Sequence, residues 1–150
     1  MFSPQHLVLF RPDRRAGLGE LLPGGITGHH IGHGRLGLNV VAGWNQPEYE
    51  AFGVELPSKH EDRYALAQEW FDLIQRIWNH QGAFDWNGRF FKGKGIYGFP
   101  RPYDGTPPIM NAAGSGEGRM FAARNADYLF AISVDLGKSK GEVAEIKARA

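Results

Sequence analysis

Leu36-Gly37-Leu38-Asn39-Val40-Val41-Ala42 decides how the rest of this sequence reads, because the run is apolar nearly throughout. A strand with one wet face alternates apolar and polar residues. An almost unbroken apolar run suits a strand buried on both faces, as in a parallel sheet. Gly43-Trp44-Asn45-Gln46-Pro47 ends it as a loop. Further on, Ser58-Lys59-His60-Glu61 has the form of a capping box, in which the Ser58 hydroxyl takes the Glu61 amide and the carboxylate reaches back. Behind it Leu66, Trp70, Leu73 and Ile77 form one helical stripe, and Ala67, Phe71, Ile74 and Trp78 form a second beside it. This predicts a helix over 59–80 with a broad apolar face, stopped by Gly82.

The segment 84–91, with Asn87-Gly88 at its centre, reads as a hairpin with a type I′ turn. An irregular glycine- and proline-rich excursion follows, and 107–114 is a second buried strand. A helix over 119–127, a strand over 128–134 and a helix from 141 complete the pattern. Strands alternating with helices mean an α/β fold with a parallel sheet. Residues 1–34 differ: they hold seven glycines and four of the six histidines, and no strand or helix period fits 11–25. The chain therefore divides into an irregular leader, 1–34, and a patterned body, 35–150.

One domain is what 150 residues accommodate. A net charge of +1 gives no reason to expect nucleic acid or an anionic membrane as a partner. The absence of cysteine excludes disulfides, thiolate nucleophiles and cysteine-ligated metals. No apolar run approaches the ~20 residues of a membrane helix, and no signal peptide is visible, so a cytoplasmic chain is expected.

Several polar residues stand where chemistry can use them. Gly114-Ser115-Gly116-Glu117-Gly118 lies between a buried strand and a helix, where free amides and the helix dipole favour an anion. The plainer reading is a tight turn with Ser115 as an N-cap. Asn39 is a polar side chain in an apolar strand, so it either bonds a neighbouring strand or faces a ligand. Arg63, with Tyr64, falls in an electropositive first turn, where a basic residue gains nothing from the dipole. Glu48 and Glu50 lie in the loop after the first buried strand, where solvation is the ordinary fate of a carboxylate. His29, His30 and His33 form a His-His-x-x-His cluster, but no helix pattern or nearby carboxylate supports a metal site, and none is expected. A hydrolytic triad centred on Ser115 is unsupported as well, since His60 and His80 both precede it and no histidine follows.

Taken together, 35–45, then Glu48-Tyr49-Glu50, then Glu61-Asp62-Arg63-Tyr64, then 84–91, then Ala112-Ala113-Gly114-Ser115 resemble the bacterial-luciferase-like, flavin-dependent monooxygenases. The resemblance is strongest to the branch acting on alkanesulfonates, dimethyl sulfone, nitrilotriacetate and pyrimidines, and it covers about 30–150. It implies a partial (β/α)8 TIM barrel with a hairpin insertion, and flavin mononucleotide (FMN) at the C-terminal ends of the strands. By that resemblance Asn39 and Glu48 approach the flavin, Arg63 and Tyr64 hold its phosphate end, and Ser115 with the Gly116 amide binds the phosphate. Reduced FMN comes from a separate NAD(P)H-dependent reductase and is used with O2 to oxygenate a small organic substrate. No catalytic residue can be named, because the family's acting side chains lie outside the matched region. The rivals are a deazaflavin-dependent oxidoreductase on the same barrel and a non-catalytic, flavin-binding remnant.

Such a barrel needs ~250 residues. Upstream of about Gly28 the match vanishes, as expected for a truncated gene or for a leader in a displaced reading frame, which the flanking DNA would reveal. A partial barrel leaves open strand edges and a half-covered interior. The isolated chain is therefore expected to be poorly soluble, homo-oligomeric or partly ordered. A monodisperse monomer by sedimentation, melting cooperatively by calorimetry, would contradict this.

Overall fold

Parallel strands form the centre of the computed structural model, which describes residues 6–10, 26–42, 47, 50, 57–112, 114–130 and 135–149. Strands β1 (His6–Phe10) and β2 (Leu36–Val40) pair in parallel, with Leu9 opposite Asn39. Helix α1 (His60–Asn79) leads into an antiparallel pair, β3 (Phe84–Asn87) and β4 (Lys92–Ile96). Strand β5 (Ile109–Ala112), helix α2 (Gly116–Asn125), strand β6 (Tyr128–Phe130) and helix α3 (Leu136–Arg149) follow. The parallel sheet has the order β1-β2-β5-β6, so each of its strands lies beside the one that precedes it along the chain. No helix among the described residues is long and apolar enough to cross a membrane.

Both predicted stripes of α1 are buried: Leu66, Ala67, Trp70, Phe71, Leu73, Ile74, Ile77 and Trp78 all enter the core. Leu38 and Val40 of β2 and Ile109 of β5 meet them from the sheet, and Phe84 and Phe91 join from the hairpin. Burying a side chain of this size stabilises by roughly 1.5–3 kcal/mol, so one helix face accounts for much of the driving force.

Local details differ from the expectations for physical reasons. The capping box does not form: Lys59 is the N-cap and makes no side-chain cap bond. Arg63 serves that end instead, donating from Nε to the Pro57 carbonyl (2.7 Å) and from Nη2 to the Ser58 carbonyl (3.1 Å). The positive φ expected at the helix stop falls at Gly82, two residues past the His80 C-cap. The second helix ends at Asn125, because Asp127 is drawn to β5, where its Oδ2 accepts the Ile109 amide (2.8 Å). The last helix begins at Leu136, earlier than expected, and the end of the third predicted strand, 131–134, lies outside the described residues. The leader is not irregular throughout. Strand β1 joins the sheet edge, and 26–31 is helical, burying Ile26 and His29. The ladder with β2 supplies the order that no local period announced. The segments 1–5 and 11–25 of the leader lie outside the described residues.

The hairpin also departs from its reading. Asn87 pairs with Lys92, so the connection is a four-residue loop, 88–91, and Gly88 lacks a positive φ. The Glu69 carboxylate of α1 sets this loop. It accepts the amides of Phe90 (2.9 Å) and Phe91 (2.8 Å) and the Trp86 indole N–H (3.3 Å). A Cβ at Gly88 would collide with that carboxylate, so the glycine serves close approach rather than turn geometry.

Burial pushes the Glu69 carboxyl upward, but the amides of Phe91 and Phe90, the Trp86 indole and the Arg89 amide outweigh it and hold it below the usual glutamate value. Because folding lowers this pKa, the contribution is fully present above the unfolded value, about 4.3, and is lost as pH falls through the folded one. Glu69→Gln is expected to cost about 1–2 kcal/mol in urea unfolding at pH 7 and clearly less near pH 3. An equal cost at both pH values would show that the charge has no such role.

Candidate functional site

A helix that follows a parallel strand starts at the carboxyl edge of the sheet, which is where open α/β sheets bind ligands. Both α1 and α2 start there, after β2 and β5 respectively. Their first turns touch: His60 Nδ1 lies 3.3 Å from Glu117 Oε2. Between them opens a cleft of about 410 Å³, lined by Tyr64, Gln68, Gly116, Glu117, Phe121 and Arg124 among others.

Tyr64 is held half-buried, with its ring 5.0 Å from His60 and 6.1 Å from Phe121. Below it, Gln68 and Asn125 exchange amide hydrogen bonds of 3.1 and 2.7 Å, tying α1 to α2. Ser115 is the N-cap of α2: its backbone is extended (φ −83°, ψ 163°) and its Oγ accepts the Gly118 amide (3.1 Å). The first-turn amides ahead of Gly118 have no acceptor within the helix and point to the mouth of the cleft, as at any helix start. The space beside Gly114 and Gly116 is open, since a Cβ at either would meet nothing within 4 Å.

The sequence candidates thus separate. Tyr64 and Gly116 line one cleft, and Ser115 caps the helix at its mouth. Arg63 neighbours Tyr64, but two of its donors bind carbonyls that precede α1. Asn39 does not line the cleft. It is buried in β2, in register with Met110, and its Oδ1 has no hydrogen-bond partner. Glu48 lies outside the described residues.

Sequence reasoning did not single out Asn111. It is buried in β5, its Nδ2 donates to the Val40 carbonyl (2.6 Å), and its Oδ1 also has no partner. A lone polar residue in an apolar strand, the signal that drew notice to Asn39, was present there too. The His60–Glu117 contact had no local signal, because the two residues lie in different helices.

The histidine cluster sits at the opposite edge, ahead of β2. His29 Nδ1 accepts the Tyr103 amide (3.0 Å), His30 Nε2 donates to the Arg101 carbonyl (2.7 Å), and His33 meets the edge of the Tyr103 ring. Burial, and then the neighbouring His30, hold the His29 imidazole below the usual histidine range, against opposing effects from Gly34 and Asp104. The three rings serve to hold the 99–106 excursion. Among the described residues no group of three or more His, Asp or Glu side chains is arranged to bind a metal ion.

A family model described as luciferase-like monooxygenase matches residues 26–150. The chain is 35% identical over 121 residues to the pristinamycin IIA synthase of Streptomyces pristinaespiralis, covering 80% of this chain and 29% of that protein. It is 31% identical over 118 residues to the FMNH2-dependent dimethylsulfone monooxygenase of Pseudomonas fluorescens, covering 79% and 32% respectively. Its fold matches a crystal structure of long-chain alkane monooxygenase with a TM-score of 0.86 at 24% identity, covering 97% of this chain and 38% of that one. The chain spans about a third or less of the curated relatives it matches.

The Ser115 cap stabilises α2 whatever binds beside it. Ser115→Ala is expected to cost about 1 kcal/mol, read as a lower urea midpoint with an unchanged slope. No shift in midpoint would mean that the Oγ–Gly118 bond contributes nothing.

Proposed function

Because this chain belongs to the luciferase-like monooxygenase family, we propose that its parallel strands are an arc of a (β/α)8 barrel and that the cleft between α1 and α2 receives the phosphate end of FMN. Two features support the arc. The order β1-β2-β5-β6 advances in one direction without the reversal of a doubly wound sheet, and α1 and α2 both pack on the face that Leu38, Val40 and Ile109 share. The observation that carries the flavin reading is the Ser115-capped start of α2, facing Tyr64 across an open cleft.

The residues present fit the group. The first-turn amides of α2 offer donors to a dianion, and the open space beside Gly114 and Gly116 lets one approach the backbone. Tyr64 offers a hydroxyl and an aromatic face across the cleft. Arg63 adds positive charge near the start of α1 while anchoring the chain before it. The buried, unpartnered Oδ1 of Asn39 lacks a donor that a flavin ring edge can provide. Glu48, in the loop after β2, is proposed to approach the same ring. Bound in reduced form, the flavin supplies the electrons with which O2 oxygenates a small organic substrate. The protein orients it and keeps water out. A separate NAD(P)H-dependent reductase is proposed to deliver it, in the cytoplasm.

FMN titration followed by fluorescence tests this. Ser115→Asp keeps a good N-cap and adds a like charge beside the phosphate, so it is expected to weaken binding at least tenfold without loss of stability. Equal binding by both proteins would overturn the placement. Preference for a deazaflavin cofactor would overturn FMN while leaving the cleft.

A further inference from the structure

The two faces of the parallel sheet are unlike. Leu38, Val40 and Ile109 point to the core beneath α1. The other face carries Met110, Ala112, Tyr128 and Phe130, set in rows by the register Met110–Tyr128 and Ala112–Phe130. Tyr128 is 53% exposed and Phe130 57%, which is unusual for aromatic side chains on a parallel sheet. The two edges are open as well: among the described residues β1 pairs with β2 alone and β6 with β5 alone. The whole chain exposes 9654 Å², against about 7,600 Å² for a compact protein of its 16.7 kDa. A surplus of roughly 2,000 Å² exceeds the ~800 Å² that a partner contributes to a standard interface and matches obligate dimers.

The geometry points to a second copy of this chain as the cover of that face. The inference rests on reading the sheet as an arc of an eight-stranded barrel. The described arc has four strands, which is half of eight. A two-fold axis along the barrel keeps all strands parallel and sets β6 of each copy beside β1 of the other. Both open edges are then paired, and the assembly closes at two chains. Tyr128 and Phe130 fill the interior, as bulky side chains do in barrels of this size. Any other stacking of the sheets leaves an edge unpaired and grows without limit.

Sedimentation of the full chain is expected to give a mass of about 33 kDa, twice 16.7 kDa. Tyr128→Glu and Phe130→Glu are each expected to weaken the dimer at least tenfold. Val143→Glu, on the exposed side of α3, is expected to leave it intact. Circular dichroism reports whether the variants still fold. A second test needs no disruption. The chain has no cysteine, so a Val8→Cys chain mixed with a Leu129→Cys chain under oxidation is expected to cross-link β1 to β6 between copies. Four outcomes would overturn the inference: a monomer at all concentrations, a monomer whose exposed face takes up a hydrophobic dye, aggregates of rising size, or a dimer that neither cross-links nor responds to Phe130→Glu. FMN titration of the same samples separates this from the flavin reading. A monomer that binds FMN overturns the dimer alone, and a dimer without FMN affinity overturns the flavin reading alone.

Discussion

A parallel sheet has no side that can be left to water, because its crossover connections carry the chain over its faces and its strands are apolar on both. That requirement organises this molecule. One face of β2 and β5 is closed by α1, whose eight buried residues reach from Leu66 to Trp78. The same helix anchors Phe84 and Phe91 of the hairpin, so sheet, helix and hairpin share one core. The other face presents Tyr128 and Phe130 in the open. A strand's two sides therefore have two different requirements for cover, and α1 meets one of them.

Charged groups on α1 fasten its surroundings where apolar packing gives out. Glu69 holds the 88–91 loop by gathering two amides and an indole N–H, a strong arrangement because an ionised acceptor strengthens each bond. Arg63 holds the approach to the helix through two carbonyls. An arginine in an electropositive first turn is ill-placed with respect to the dipole, but carbonyl oxygens arriving just before the helix compensate for it. The oddity that marked Arg63 in the sequence thus has a structural cause, alongside any role toward an anion.

The candidate site follows from the same topology. Parallel strands put the starts of α1 and α2 on one edge, and the contact of His60 with Glu117 brings those starts together. Ser115 serves α2 as a cap and leaves the earlier amides facing the cleft. The family match gives this edge its chemical meaning. The buried oxygen atoms of Asn39 and Asn111 mark two further places where the fold keeps polar groups without partners of their own.

Much of this was written locally. The α/β class, the parallel character of β2 and β5, and every buried residue of α1 followed from periodicity, since burial selects apolar side chains at fixed spacing. The strand-to-helix turn at Ser115 was legible because capping is an interaction between residues three apart. The Ser58 cap, the type I′ turn at Gly88 and the irregular leader were also local readings, and distant partners changed them. Arg63 displaced the cap, Glu69 opened the turn, and the ladder with β2 ordered His6–Phe10. Sequence alone therefore determined which residues must be buried and in what repeating pattern, because that depends on each segment's own spacing. Only the tertiary structure decided which polar groups meet, joining Tyr64 to Gly116 and His60 to Glu117, because a hydrogen bond or cleft between remote elements exists only once the sheet has set their positions.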